Sequence, residues 1–245
     1  MSVWGKIIGA TAGFALGGPI GAMLGIMVGG SFDRTAKRFK NSSQIPNSDK
    51  QKIFALSIII LSAKIAKADG EVTKNEIHAF KEKFNIPKSE MSEVGRIFNE
   101  AKKTKNGYKE IADQVGSLFL DNKILLEELL NNLFYIAESD GHTSHDEIKI
   151  LKSISNSFGL TDKDFQRIFH SRLDDKNSDP YKVLSINRND DDTTIRKRWI
   201  QLNKEHHPDN LIAKGLPKEF IEQSNDELSS INLAYDKIKE QRGIN

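Results

Sequence analysis

The chain has 245 residues, of which 38% are hydrophobic and 29% are charged, so it is long enough for one or two small domains with appendages. Its 36 basic and 34 acidic residues leave a net charge of only +2, which favours neither nucleic acid nor a strongly acidic substrate as a partner. The absence of cysteine excludes disulfides and cysteine-ligated zinc modules, and it fits a reducing compartment.

The first predicted element is an uncharged, glycine-rich segment. No charged residue occurs between Lys6 and Asp33, and residues 7–29 would form a helix about 34 Å long, enough to cross a bilayer once. Glycine recurs every fourth residue, which leaves a smooth stripe on which a second helix can pack closely. The glycines of this packing face are Gly9, Gly13, Gly17, Gly21 and Gly25. Residues 1–32 are therefore predicted to be a retained, self-associating membrane anchor, with a signal peptide or a peripheral glycine-rich arm as alternatives.

The charges that flank this segment predict its orientation. Four basic residues lie between positions 33 and 40, whereas only Lys6 and the amino terminus carry positive charge before the segment. Because cytoplasmic flanks carry the excess of lysine and arginine, the bulk of the chain should be cytoplasmic. Residues 33–49 are predicted to be a basic and polar linker to the next domain.

Residues 50–173 show helical periodicity throughout, which predicts an all-α domain. The apolar run at 54–61 indicates a helix that is buried on most sides. Helices are predicted at about 50–68, 74–84, 88–103, 107–118, 121–138, 145–157 and 161–171.

An internal repeat within this domain relates "AKADGEVTKNEI" at 66–77 to "AESDGHTSHDEI" at 137–148. The spacing Asp-Gly-x5-Glu is that of the second half of a calcium-binding loop. It makes candidate metal ligands of Asp69, Glu76, Asp140 and Glu147. The first half of such a loop is missing, and the same residues are typical of a glycine that ends one helix and a Ser/Thr-x-x-Glu capping box that begins the next. We therefore predict helix caps here and no metal or cofactor.

With this repeat, the domain resembles the TerB-like helical family of tellurite-resistance proteins and of certain membrane-anchored chaperone partners. The resemblance implies a helical bundle in which acidic residues at these turns have been suspected of binding metal.

The strongest motif lies in "TIRKRWIQLNKEHHPDNLIAKGLPKEF" at 194–220. Helical spacing predicts one apolar stripe on the first helix, formed by Ile195, Trp199, Leu202 and His206. His206 is thus interpreted as a packing residue rather than a functional one. The opposite face is basic, although such a face can equally be only solvated. Pro208 predicts that this helix stops at His207 and that a loop begins there.

A second long helix is predicted after that loop, antiparallel to the first. Its apolar residues are Phe220, Leu228, Ile231, Ala234, Tyr235 and Ile238. Upstream, the stretch 179–186 predicts a short helix whose Tyr181 and Leu184 complete a small core. The module is therefore expected to be a helical hairpin with one loop at its tip.

This arrangement resembles the J-domain of the DnaJ co-chaperone family over residues 178–245. The resemblance implies that His207, Pro208 and Asp209 stimulate ATP hydrolysis by a DnaK-type chaperone. It also implies docking charge on the preceding helix, from Arg196, Lys197, Arg198 and Lys204. Two positions depart from the family pattern: Asn210 stands where a basic residue is common, and Ser185 replaces the usual glycine.

Together these features predict an all-α protein made of a glycine-rich transmembrane helix, a TerB-like bundle and a J-domain hairpin. They favour a single-pass co-chaperone of the bacterial inner membrane that acts in a stress response. It would recruit and activate a DnaK-type ATPase, form a homodimer through its glycine-rich span and bind no nucleic acid. The chain itself is not expected to be an enzyme, because it lacks a nucleophile beside a base and a phosphate-binding loop. The alternative is a metal- or stress-sensing membrane protein that uses its J-domain as a scaffold.

Overall fold

The computed structural model describes residues 2–5, 47–68, 80, 84–103, 107–138, 143–173 and 177–243. Every regular element within these ranges is a helix, which confirms the predicted all-α class. The predicted glycine face from Gly9 to Gly25 lies outside the described residues, as do Asp69, Glu76 and Asp140. None of the helices that are described is both long and apolar enough to cross a membrane.

Helix α1 (Asn47–Ala68) is the centre of the middle domain. Its side chains are buried almost continuously from Ile53 to Ala66, as the apolar run predicts. It contacts the helices α2 (Met91–Ala101), α3 (Tyr108–Leu118), α4 (Lys123–Ala137) and α5 (His145–Ser157). Helix α6 (Asp162–Arg172) closes the bundle against α4. Most of the predicted helix at 74–84 lies outside the described residues.

The predicted capping box at the second repeat is confirmed. The Ser144 hydroxyl accepts a hydrogen bond from the Glu147 backbone N–H at 3.2 Å, and the Glu147 carboxylate accepts one from the Ser144 N–H at 2.9 Å. These bonds satisfy backbone donors that a helix start leaves unpaired. Glu147 is also buried, and its Oε2 accepts the capping hydrogen bond.

The carboxy-terminal module, residues 177–243, is an antiparallel pair of helices with short additions. Its elements are α7 (Pro180–Val183), α8 (Asp192–Glu205), α9 (Pro208–Lys214), a 3-10 turn (Lys218–Phe220) and α10 (Ile221–Arg242). The start of α8 meets the end of α10, where Asp192 and Arg242 form an ion pair at 2.9 Å. Midway along the pair, Trp199 stacks on Tyr235 with the ring centroids 4.4 Å apart. The predicted antiparallel pairing is therefore confirmed.

Two details of the predicted hairpin are wrong. The tip is not a plain loop, because residues 208–214 form helix α9. Proline ends a preceding helix but is favoured at the first position of a new one, so Pro208 does both. Phe220 does not join the hairpin core either: with Leu211 and Leu216 it packs into the core of the middle domain, and its ring lies 5.0 Å from that of Phe54. The hairpin keeps its own smaller core, which includes Tyr181, Leu184, Ile195, Leu202, Ile231 and Ile238.

Residues 2–5 pack against the middle domain. Trp4 is fully buried, its indole N–H donates to the Phe84 carbonyl at 3.1 Å, and its ring lies 5.7 Å from that of Phe220. The Ser2 hydroxyl donates to Glu90 at 2.7 Å. A segment that crosses the membrane once between residues 7 and 29 would instead separate Trp4 from this domain, so the two arrangements exclude each other.

Candidate functional site

The His-Pro-Asp motif is a sharp corner between α8 and α9. His206 follows the last residue of α8, and His207 is the N-cap of α9, where its ring nitrogen accepts a hydrogen bond from the Asp209 N–H at 3.3 Å. Pro208 fills the first helical position, where a missing N–H costs nothing. Asn210 donates its side-chain amide to the Glu205 carbonyl at 2.7 Å and so ties the end of α8 to the start of α9.

This corner presents its polar side chains to solvent. The His207 side chain is 57% exposed and that of Asp209 is 91% exposed. The Asp209 carboxylate lies 3.8 Å from Nδ1 of the His207 ring. An arginine or lysine of a partner protein can therefore reach this carboxylate without displacing a strong internal contact.

The predicted basic face lies on α8, directly before the corner. Arg196, Lys197 and Lys204 are exposed, as predicted. Arg198 differs, because its side chain is three-quarters buried. Its guanidinium donates to the Leu184 carbonyl at 3.3 Å and lies 3.7 Å from Glu205. Burial lowers the pKa of Arg198, an effect that the charge of Glu205 partly offsets. The structure thus brings three of the four predicted basic residues to the surface and uses the fourth for packing.

The two departures from the family pattern have structural explanations. Ser185 has a φ of 55°, in the left-handed region that glycine adopts without a steric penalty, so the family's glycine is explained and the serine carries strain. Asn210 makes the hydrogen bond to the Glu205 carbonyl described above, and the longer side chain of a lysine or arginine would not make that bond with the same geometry.

A buried polar cluster lies behind the corner, where the middle domain meets the carboxy-terminal module. Its members are Glu127 and Glu128 of α4, Arg167 of α6, His206, and Ser224 and Glu227 of α10. His206 Nδ1 lies 3.0 Å from Glu128 Oε1, and the Ser224 hydroxyl donates to Glu128 Oε2 at 2.6 Å. Arg167 donates to Glu127 at 2.8 Å and also to Glu227. His206 is thus buried, as predicted, but it packs against charges of another domain.

Opposing effects set the protonation of these groups. Burial raises the pKa of the Glu128 carboxyl, although the hydrogen bond from His206 opposes the rise. Burial also acts to lower the pKa of His206, but the nearby charges of Glu227 and Glu128 raise it overall. Burial acts to raise the pKa of Glu227, but the charges of Arg167 and His206 and the hydrogen bond from Arg167 together lower it.

This cluster was not predicted from the sequence. Glu127 and Glu128 stand in the run "ILLEELL", which looks like an amphipathic helix with a polar face in water. The only available signal was that leucines flank the pair on both sides, which leaves little room for a solvated face. Nothing local indicates that the partners lie 40 to 96 positions further along the chain.

Two family models match parts of the chain. Residues 55–170 match the family model described as tellurite resistance protein TerB, and residues 1–45 match that of the co-chaperone DjlA transmembrane domain. The second match supports membrane association. No solved structure matches the chain.

Similar proteins cover the whole chain. It is 28% identical to the co-chaperone protein DjlA of Legionella pneumophila, over 98% of this chain and 96% of that protein. It is 28% identical to the protein of the same name from Coxiella burnetii, over 98% of both chains. For the Escherichia coli protein the identity is 26% over 100% of both. The chain is therefore a DjlA-like protein that carries a TerB-like domain.

Proposed function

We propose that this protein is a membrane-anchored co-chaperone whose residues 178–245 act as a J-domain on a DnaK-type ATPase. The observation that carries the proposal is the exposed His207–Asp209 corner at the end of a basic helix, in a chain whose full-length relatives are named co-chaperones. In this function the chain is a regulator, and the hydrolytic step belongs to the partner.

The proposed docking uses two properties of the corner. Arg196, Lys197 and Lys204 attract an acidic surface and speed encounter, as complementary charges do at other interfaces. His207 and Asp209 then form the contact that stimulates hydrolysis, and Pro208 restricts the backbone between them to one conformation. Because the corner is fixed by hydrogen bonds within the chain, little ordering entropy is lost on docking.

The decisive experiment is steady-state ATP hydrolysis by a DnaK-type chaperone with the full chain in detergent micelles or nanodiscs. We expect stimulation by the native protein and none by His207→Gln. The matched control is His145→Gln, which removes an exposed histidine at the start of α5 and should stimulate normally. Equal stimulation by His207→Gln would refute the assigned role of the corner. Stimulation by none of the three would favour the alternative function, a sensing protein that uses this module as a scaffold.

The membrane part of the proposal is a single crossing of the bacterial inner membrane by residues 7–29, with dimerisation through the glycine face. A membrane dimerisation reporter should lose signal when Gly13, Gly17 and Gly21 are replaced by leucine. An equal signal would argue against the glycine face as the contact.

Cysteine labelling tests the topology, because the chain contains no native cysteine. A membrane-impermeant maleimide added to intact spheroplasts should label Ser2→Cys but not the exposed Ser229→Cys if the segment crosses once. Protection of both positions would instead favour the arrangement in which Trp4 packs beside Phe84.

A further inference from the structure

The buried cluster behind the corner contains a set of metal-ligand atoms. One nitrogen of His206 and one carboxylate oxygen each of Glu128 and Glu227 lie within 4.8 Å of one another. His206 Nδ1 is 3.0 Å from an oxygen of Glu128 and 3.9 Å from Oε2 of Glu227. Ligand atoms of a tetrahedral zinc site with bonds of about 2.0–2.2 Å lie about 3.4 Å apart. The observed separations bracket that value.

From this arrangement we propose that His206, Glu128 and Glu227 bind one divalent transition-metal ion of the Zn²⁺ class. One imidazole and two carboxylates suit such an ion, whereas Ca²⁺ and Mg²⁺ take six or more oxygen ligands. The proposed ligands are distinct from the acidic turns of the internal repeat.

Glu127, Ser224 and Arg167 lie beside the proposed ligands, where outer partners that orient metal ligands are found. His206 Nε2 lies 3.6 Å from Glu127 Oε2, so a small shift of either side chain would let the ring donate its second N–H to this carboxylate while Nδ1 binds the ion. The Ser224 hydroxyl orients Glu128 through Oε2, and Arg167 orients Glu227 through Oε1.

Three fully buried atoms of the cluster make no hydrogen bond within the described residues. They are Glu227 Oε2, which is one of the proposed ligand atoms, His206 Nε2 and Arg167 Nε. A buried polar atom without a partner destabilises the fold, because it has lost its hydrogen bonds to water. An ion bound to Glu227 Oε2 would remove this destabilisation for the carboxylate.

The charge of the cluster also favours a divalent cation. Glu127, Glu128 and Glu227 are buried together, and the Arg167 guanidinium neutralises one of the three carboxylates. Lys123, at the edge of the cluster, lies 2.8 Å from Asp164 and 3.4 Å from Glu127, so it is shared with a fourth carboxylate. Once an ion has displaced the protons of His206 and Glu128, three carboxylates and one guanidinium leave two negative charges, which a divalent ion balances.

The proposed ligands come from both domains. Glu128 belongs to α4 of the middle domain, Glu227 belongs to α10, and His206 directly precedes His207 of the corner. An ion at this place would clamp the corner to the middle domain. Metal availability would then set how firmly the corner is held.

Cobalt titration of the metal-stripped full chain in detergent tests the proposal. We expect one equivalent of Co²⁺ to give the visible absorption of a low-coordinate site after equilibration, and Zn²⁺ to displace it. His206→Gln and Glu227→Gln should weaken binding by more than about 100-fold, and Glu127→Gln by about 10–100-fold, because outer partners of metal ligands have effects of that size. His207→Gln is the matched control, since it removes the neighbouring exposed imidazole, and it should bind like the native chain.

Absence of a stoichiometric site in the native protein would overturn the proposal without any variant. Equal binding by Glu227→Gln and the native chain would overturn it too, because surface histidines would then be the ligands. Far-UV circular dichroism identifies variants that fail to fold. If His206→Gln is one of them, the graded losses in Glu127→Gln and Glu227→Gln still decide the question.

Discussion

Substitution of Arg167 should lower the free energy of unfolding more than most other substitutions in the protein. Its side chain is fully buried and pairs with Glu127 at 2.8 Å and with Glu227. Arg167→Met keeps most of the volume but leaves Glu227 without its guanidinium partner and Glu127 with only Lys123, at 3.4 Å, as a lysine or arginine partner. Removing one partner of a buried pair costs about 3–5 kcal/mol. This is a large part of the roughly 5–15 kcal/mol by which a typical domain is stable.

The assay is urea unfolding of the full chain in non-ionic detergent, followed by far-UV circular dichroism. Arg96→Met is the control, because Arg96 is exposed, pairs with Glu93 at 2.6 Å and should lose less than about 1 kcal/mol. The double variant Arg167→Met with Glu227→Leu removes one of the stranded carboxylates and should recover much of the loss. If Arg167→Met is no more destabilising than Arg96→Met, the buried charges are solvated and the reasoning is wrong.

Three further predictions concern single positions. Ser185→Gly should raise the free energy of unfolding by about 1 kcal/mol, because it relieves the left-handed φ of 55°; no gain in urea unfolding would show that the turn is unstrained. Burial acts to raise the pKa of Asp164, but hydrogen bonds from Lys123 and Thr161 lower it overall from the usual 3.8. Its ionised form therefore stabilises the fold above about pH 4, and the stabilisation is lost as the pH falls further, so Asp164→Asn should flatten the acid side of a melting-temperature profile. Leu211→Ala should cost about 2–5 kcal/mol and also reduce ATPase stimulation, because it loosens α9 from the middle domain; normal stimulation in a destabilised variant would separate the two effects.

The elements that the sequence predicts well are those fixed by local interactions. Helix α5 was predicted at 145–157 and has these bounds, because the Ser144 cap and the apolar spacing act within a few residues of the helix start. The apolar stripe of α8 was predicted for the same reason, and Ile195 and Leu202 are buried as expected.

The features that were missed depend on distant partners. Phe220 has the spacing of a hairpin residue, but its ring packs against Phe54 and Phe84, which no local pattern reveals. Trp4 precedes a segment predicted to span a membrane, yet it packs into the same aromatic group. The exposed half of the candidate site, His207 to Asp209, follows from its motif. The buried half behind it requires α4, α6, α10 and the end of α8 to meet.

The three apolar side chains that α9 and the following turn insert into the middle domain limit how this protein can be divided. Leu211, Leu216 and Phe220 are fully buried there. A fragment that begins at residue 177 would expose these three side chains as one hydrophobic patch, and the remaining bundle would be left with an unfilled cavity in its core. Transfer of residues 177–243 to another protein would therefore require polar residues at the positions of α9 that are buried here. The two parts are better regarded as one inherited unit than as interchangeable modules.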